Sequence, residues 1–198
     1  MTELVALRTQ LKATLALKGI KLTYLPFIIK AVILAVKKYP IFNATLDDER
    51  GVIVLKKYYN IGIATASDEG LIVPVIKNAD QKSILDLAVE IEQLAKKARD
   101  RKISLEELQG GTFTITNVGS IGGLASTPII NHPEVAILGI HKIRKQPVAK
   151  DGQIAIRDVT YLALSFDHRV ADGALGAAFM SELIAYLENP HHMLMGLI

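Results

Sequence analysis

Apolar residues along the chain alternate between helical spacing and short runs typical of strands. Leucines recur at helical spacing over residues 3–18, and Gly19 is a natural stop for that helix. A second helix is predicted from Tyr24 to Lys38, with Thr23 as its cap and Pro26 in its first turn. Because the side chains of this second helix are apolar on nearly all sides, we expect it to lie at the centre of the core.

The period then shortens to that of strands. The β-rich runs, separated by turns, are Val52–Leu55, Tyr59–Ala66 and Leu71–Ile76. A surface helix is predicted from Ile84 to Arg101, capped by Ser83. Ser104 and Glu107 have the spacing of a capping box, which predicts the start of a further short helix.

Strands dominate the last third of the chain. The predicted elements are a strand over Thr112–Thr116 with an all-threonine face, long strands over Val135–Ile143 and Ile154–Phe166, and a final helix over Gly173–Leu187. Lys150-Asp151-Gly152 lies near a turn between the two long strands, which we interpret as a β-hairpin. The sequence therefore predicts one α/β (α+β) domain in which helices cover a mixed β-sheet.

Composition narrows the class of protein. Half of the residues are hydrophobic, so a large core can form. The 23 basic and 20 acidic residues are spread along the chain, which argues against a nucleic-acid binder. With no cysteine, disulfides, zinc fingers and thiol nucleophiles are excluded. The longest apolar stretch, Leu25–Val36, contains Lys30 and is shorter than the roughly 20 residues of a membrane span, so we expect an intracellular protein without a membrane partner.

Polar residues follow an apolar strand directly in the segment Leu164–Gly173. Side chains at the end of a strand are held in place by the sheet, which suits catalytic groups. His168 is the candidate, because an imidazole can accept a proton near neutral pH. Asp172 follows four residues later, and Gly173 permits a tight entry into the last helix. The alternative is a surface histidine that makes ordinary hydrogen bonds.

Two other features are weaker candidates for a site. His191 and His192 have no third ligand at a fixed spacing, so we predict no metal site. The glycine-rich run Gly119–Gly123 suggests a phosphate-binding loop, but no Lys-Ser or Lys-Thr pair follows it. We expect these glycines to allow a close backbone approach at a substrate channel instead.

Four segments of the chain carry a resemblance to a known family. They are Ser165–Gly173, which contains an HxxxDG motif, with Gly110–Asn117, Thr127–Pro133 and Val135–Ile140. In order and spacing they resemble the catalytic domain of the dihydrolipoamide acyltransferases of 2-oxo-acid dehydrogenase complexes. The resemblance implies a chloramphenicol acetyltransferase-like fold in a single domain over residues 1–198. It also implies that the start of this domain is missing, together with the lipoyl and peripheral-subunit-binding domains.

The activity implied by this resemblance is transfer of an acyl group between dihydrolipoamide and coenzyme A, without a metal. His168 would remove the thiol proton as sulfur attacks the thioester carbonyl. Thr116, 52 residues earlier, would donate a hydrogen bond to the oxyanion, although threonine is also simply a good strand former. Asp172 would hold the catalytic loop rather than accept the proton. The remaining candidates are Arg169, in that network or in an ordinary ion pair; Gly173; and Asn117, as a turn residue or a polar contact.

The resemblance further implies a homotrimer whose active sites lie between subunits. Trimers would assemble into a 24-mer or 60-mer core that works with lipoyl domains and the E1 and E3 components. The apolar end Met193–Ile198 would join trimers, with packing on its own domain as the alternative. Acetyl and branched-chain acyl groups both remain open as substrates. The compartment would be the cytoplasm of a prokaryote or the mitochondrial matrix of a eukaryote.

Two further functions remain open on the same residues. One is a small-molecule O-acetyltransferase of the same fold, against which the segments Gly110–Asn117 and Thr127–Leu138 argue. The other is an assembly scaffold without activity, which would follow if the missing start of the domain disables the site.

Overall fold

A computed structural model describes residues 1–67 and 70–195 of the chain. The α-helices are α1 (Thr2–Ala16), α2 (Leu25–Lys38), α3 (Ile84–Arg99), α4 (Gly173–Glu188) and α5 (Pro190–Met195). The strands are β1 (Ala44–Asp47), β2 (Val52–Leu55), β3 (Ile61–Ser67), β4 (Gly70–Ile72), β5 (Val75–Ile76), β6 (Phe113–Asn117), β7 (Ala136–Ile140), β8 (Arg144–Lys150), β9 (Gln153–Val159) and β10 (Leu162–Phe166).

Six strands form one mixed sheet, in the order β10-β7-β6-β3-β4, with β5 also paired to β3. Strands β3, β6 and β7 are parallel, whereas β10 is antiparallel to β7, and β4 and β5 are antiparallel to β3. Alternate residues of the central strands, such as Phe113 and Ile115, point into the core. The predicted mixed sheet with helices packed on it is confirmed.

Helix α2 lies at the centre of the core, as predicted, and packs against α3 and α4. Its one buried charge, Lys30, donates hydrogen bonds to the carbonyls of Ala79 (3.2 Å) and Asp80 (2.9 Å), which offsets the cost of burial. The prediction that Thr23 caps this helix is wrong, because Tyr24 is the N-cap and makes no side-chain capping bond. No helix in the two described ranges is long and apolar enough to cross a membrane.

The predicted antiparallel pairing of Val135–Ile143 with Ile154–Phe166 is confirmed for the parts that form β7 and β10, but the prediction that they form one hairpin is wrong. The predicted turn at Lys150–Gly152 does form, but it joins β8 to β9 in a separate two-stranded hairpin. The second predicted strand breaks at Thr160, whose hydroxyl donates to the carbonyl of His141 at 2.7 Å. The chain then re-enters the main sheet as β10, beside β7. The sequence pattern did not show that the second predicted strand is divided into β9 and β10, because both parts have the period of a strand.

Smaller features follow the sequence more closely. Ser83 caps α3 as predicted and forms a capping box with Asp86. Ser104 and Glu107 exchange the predicted hydrogen bonds, although the turn that follows is a 3-10 helix. Helix α5 was not predicted; within it Met193 is buried in the core of its own domain. The remainder of the apolar end, residues 196–198, lies outside the described residues.

Candidate active site

The loop that carries His168 is fixed by the edge of the sheet. Strand β10 ends at Phe166, opposite Ala136 of β7, and the next amide, that of Asp167, donates to the carbonyl of Val135 at 2.8 Å. The imidazole of His168 is exposed and stacks on the ring of Phe166, with 5.8 Å between centroids. The predicted position of His168, at the end of a strand and before a helix, is therefore confirmed.

Charged groups around the histidine loop pair in a way that the sequence did not indicate. Arg169 binds Asp167 (Nη2 to Oδ2, 2.7 Å) and also Asp48 in the β1–β2 turn (2.8 Å). This guanidinium holds the pKa of Asp167 below its ordinary range. Arg169 therefore does not share a network with Asp172, as one alternative held, but ties the loop to the neighbouring hairpin. Since these groups are largely exposed, each pair is worth roughly 0–1 kcal/mol.

Asp172 is the N-cap of α4. Its Oδ1 accepts a hydrogen bond from the backbone N–H of Leu175 at 2.9 Å, which satisfies one of the unpaired donors at the start of the helix. The loop containing His168 is thus held at one end by β7 and at the other by this cap. Asp172 thus pairs with a backbone amide, a polar group, and not with a basic side chain.

Two glycines of α4 have opposite surroundings. A Cβ on Gly176 would lie 2.7 Å from the ring of Phe166, so only glycine lets this ring pack closely against the helix. Because His168 stacks on the same ring, Gly176 supports the candidate base, a role that the sequence reasoning missed. A Cβ on Gly173 would meet nothing within 4 Å. A tight helix entry therefore does not explain Gly173.

Thr116 lies near the carboxyl end of β6, on the sheet face opposite the helix-packed core. It is half-buried, with Ala64 of β3 and Gly139 of β7 as its neighbours in the sheet. Asn117 follows as a turn residue, and its Oδ1 accepts from the N–H of Gly119 at 3.1 Å. A Cβ on Gly119 would lie 2.6 Å from the His141 carbonyl carbon, so the expected close backbone approach is confirmed there.

His168 and Thr116 do not meet within one chain. Thr116 is level with Gly139 of β7, whereas His168 lies beyond the strand residue paired with Ala136, in the opposite direction. The two levels differ by about five residues, or roughly 17 Å along the strands. The side chains also belong to opposite faces, since Phe166, beneath the imidazole, packs into the core.

A buried carboxylic acid, Glu134, lies at the start of β7 and was missed in the sequence. Only 6% of Glu134 is exposed. Its Oε1 accepts from the amide of Asn131 at 3.4 Å and lies within hydrogen-bond reach of the Thr114 hydroxyl, whereas Oε2 has no partner among the described residues. Burial raises the pKa of Glu134 to about 7. An acidic residue directly before a buried apolar strand was the available signal.

Two other features, a possible metal site and a surface groove, lie apart from the candidate catalytic residues. In residues 1–67 and 70–195, no group of three or more His, Asp or Glu side chains is placed to hold a metal ion. A groove of about 680 Å³ lies between the start of α1, the β8–β9 hairpin and α4. Neither His168 nor Thr116 lines this groove.

Comparison with known proteins shows the family of the chain. The model of the family described as 2-oxoacid dehydrogenases acyltransferase (catalytic domain) matches residues 1–195. The chain therefore belongs to this family of acyltransferase catalytic domains. It is 51% identical over 188 residues to the dihydrolipoyllysine-residue acetyltransferase component of the pyruvate dehydrogenase complex of Staphylococcus epidermidis. That match covers 95% of this chain but 43% of the relative, so the chain spans less than half the length of such proteins.

Solved structures agree with this family. The dihydrolipoamide acetyltransferase of Azotobacter vinelandii, studied for the roles of a serine, a histidine and an asparagine in its mechanism, has a TM-score of 0.94 at 45% identity. That match covers 98% of this chain and 79% of the other. The cubic core of the pyruvate dehydrogenase multienzyme complex matches with the same TM-score, 46% identity and the same coverage. A chloramphenicol acetyltransferase, at 15% identity and a TM-score of 0.55 over 91% of this chain and 82% of its own, shares the fold.

Proposed function

We propose that this chain transfers an acyl group between the thiol of dihydrolipoamide and coenzyme A, with His168 as general base and Thr116 as oxyanion donor. The observation that carries the proposal is the separation of these two residues on one sheet. His168 follows the end of β10 and Thr116 lies near the carboxyl end of β6, so the sheet holds them at opposite ends, too far apart to meet in one chain. A site built between neighbouring copies brings the base at one end of the sheet to the hydroxyl at the opposite end.

The Azotobacter enzyme supports these assignments. Its serine, histidine and asparagine are spaced by 52 and 4 residues, the same intervals that separate Thr116, His168 and Asp172. Serine and threonine both offer a hydroxyl donor. The Azotobacter enzyme has asparagine where this chain has Asp172, and asparagine and aspartate are equally good N-caps. This difference fits a capping role for Asp172 better than a role for its charge.

Each residue of the proposed site has a distinct task. A thiol becomes a strong nucleophile only as it loses its proton, so the imidazole of His168 takes that proton while sulfur attacks the thioester carbonyl. Negative charge then develops on the carbonyl oxygen, where a hydroxyl placed in advance is most effective. Thr116 supplies this hydroxyl. Collapse of the intermediate releases the other thiol, which recovers the proton from the imidazole.

The relatives also suggest the acyl group, the assembly and the compartment of this chain, which we include in the proposal. Acetyl is the favoured acyl group, because the Staphylococcus relative is named an acetyltransferase component of the pyruvate dehydrogenase complex. A homotrimer that builds a larger core is favoured by the match to a cubic core, with the lipoyl group as acyl carrier and E1 and E3 as partner enzymes. Bacterial relatives favour the cytoplasm as the compartment.

The test is acyl transfer from acetyl-CoA to free dihydrolipoamide, measured as the amount of free coenzyme A that the reaction releases. We expect His168→Ala to lower kcat by about 10²- to 10⁴-fold. His191→Ala, which removes another exposed histidine outside the site, is the matched control and should retain full activity. If the unaltered chain transferred no acetyl group to the thiol, or if both variants behaved alike, the proposal would be wrong.

A further inference from the structure

A serine and a histidine outside the proposed site form a hydrogen-bonded pair that the acyl-transfer mechanism does not use. Ser126 is exposed on the loop that follows the glycine-rich run, and its Oγ lies 2.8 Å from Nε2 of His141. The other ring nitrogen, Nδ1, lies 2.9 Å from the carbonyl oxygen of Tyr161. His141 itself is 2% exposed.

The chemistry of these contacts fixes the direction of each hydrogen bond. A carbonyl oxygen can only accept, so Nδ1 carries the proton that it donates to Tyr161. In the neutral imidazole Nε2 then has a free lone pair, and the Ser126 hydroxyl donates to it. A hydroxyl that donates to an imidazole, which is oriented by a third group, is the arrangement of an activated serine nucleophile.

The base of this pair is held rigidly. His141 follows the last residue of β7, Ile140, which is paired with Leu162 of β10, so the sheet places the imidazole beside Tyr161. The His141 carbonyl also accepts from the Thr160 hydroxyl. Around the serine, the backbone N–H groups of residues 124–127 make no hydrogen bond within the described chain, which leaves them available to an oxyanion.

The pair lies on the same sheet face and at the same end as Thr116. Thr116 is level with Gly139, and His141 is two residues further along, about 7 Å, with its Cε1 close to the position of a Cβ on Gly139 (3.5 Å). We infer that Ser126 is a second acyl acceptor beside the proposed acyl site and that it gives the protein an esterase and thioesterase activity toward small acyl groups. The choice of acyl substrates rests on the proposed function.

The proposed reaction at Ser126 needs only the acyl donor and water. Ser126 Oγ attacks the acyl carbonyl carbon while its proton passes to Nε2 of His141. The carbon–sulfur bond of a thioester, or the carbon–oxygen bond of an ester, then breaks, and the leaving group takes that proton. Water attacks the acyl-serine by the same route in reverse, which releases the acid and restores the hydroxyl.

The experiment treats the chain with 4-nitrophenyl acetate and, separately, with acetyl-CoA, and locates acetyl groups on peptides by mass spectrometry. We expect Ser126 to be acetylated at least about 10²-fold faster than Ser120, an exposed serine six residues earlier whose hydroxyl donates to the carbonyl of Asn117 and not to a histidine. Ser126→Ala should abolish the label, and His141→Asn should slow it by about 10²-fold. The comparison of Ser126 with Ser120 is made within the unaltered chain, so it tests the inference even if the His141→Asn variant does not fold.

Transfer to dihydrolipoamide, measured on the same preparations, separates this inference from the proposed function. Ser126→Ala should leave that transfer unchanged, whereas His168→Ala should remove it and leave the Ser126 label intact. Acetylation of Ser126 no faster than that of Ser120 would overturn the inference, whatever the outcome of the transfer assay. A folded His141→Asn variant that labels at the normal rate would overturn it equally.

Discussion

His168 depends for its position on neighbours that have no chemistry of their own. Its ring stacks on Phe166, which in turn packs edge-on against Phe42 (5.7 Å) and closely against Gly176. These contacts hold an exposed imidazole in place without burying it. A residue that must reach a substrate from another molecule can thus be both ordered and accessible.

At the residue scale, the hydroxyl of Thr116 is the sharpest test of the proposed oxyanion donor. Thr116→Ala should lower kcat of acyl transfer by about 10²- to 10³-fold with little change in KM, because the lost hydrogen bond forms mainly in the transition state. Thr116→Ser keeps the hydroxyl and should retain most of the activity. Equal losses in the two variants would show that the methyl group, and not the hydroxyl, matters.

Glu134 makes stability depend on pH. Its pKa is about 7 in the folded chain against an ordinary 4.5, so the folded state keeps a proton that the unfolded state releases between these values. We therefore expect the contribution of Glu134 to the free energy of unfolding to fall by about 3 kcal/mol as pH rises from 4.5 to about 7, and to change no further at higher pH.

Glu134→Gln should remove this dependence and make the chain more stable than the unaltered one at pH 8. Denaturant unfolding at pH 5 and pH 8 measures the difference, with the exposed Glu106→Gln as the control that should change neither value. An equal fall in stability between the two pH values in both variants would contradict the burial of the acid.

At the scale of elements, helix α4 begins where the histidine loop ends, so we expect its cap to influence both stability and the proposed activity of His168. Asp172→Ala should cost about 1 kcal/mol of stability and lower kcat, because the loop loses one of its two anchors. Asp172→Asn keeps the capping oxygen and should preserve both. Thermal unfolding and transfer kinetics measure the two effects. An asparagine variant as impaired as the alanine variant would assign a role to the negative charge instead.

Elements with a strong local signal were predictable. The central helix α2 and the Ser83 cap follow from apolar periodicity and capping chemistry, which act over neighbouring residues. The antiparallel pairing of β7 with β10 was predicted, but the separate β8–β9 hairpin between them was not, because strands with the same period give no indication of their partners. Lys30, a charge within the longest apolar run, is accommodated only by carbonyls 49 and 50 residues away.

At the scale of the whole molecule, the proposed site of His168 and Thr116 requires two copies, because the two residues lie at opposite ends of one sheet. A mixture of His168→Ala and Thr116→Ala chains, co-expressed with different tags, should regain activity that neither variant has alone. In the proposed trimer, every mixed assembly would place one intact histidine opposite one intact threonine. Tandem purification and sedimentation identify the mixed trimers. Verified mixed trimers as inactive as their parents would show that the two residues do not share a site.

The sequence by itself determined the class of fold and the candidate base His168, because these depend on local periodicity and on residue types at a strand end. Thr116 as its counterpart came from the resemblance to a family and not from the local pattern. Only the tertiary structure decided that β8 and β9 form a sheet of their own and that Asp172 caps a helix while Arg169 pairs with Asp48 and Asp167. It also showed that Glu134 is buried and that Ser126 and His141 share a hydrogen bond. Such contacts join residues distant along the chain, and their energies arise from burial and geometry that no local pattern encodes.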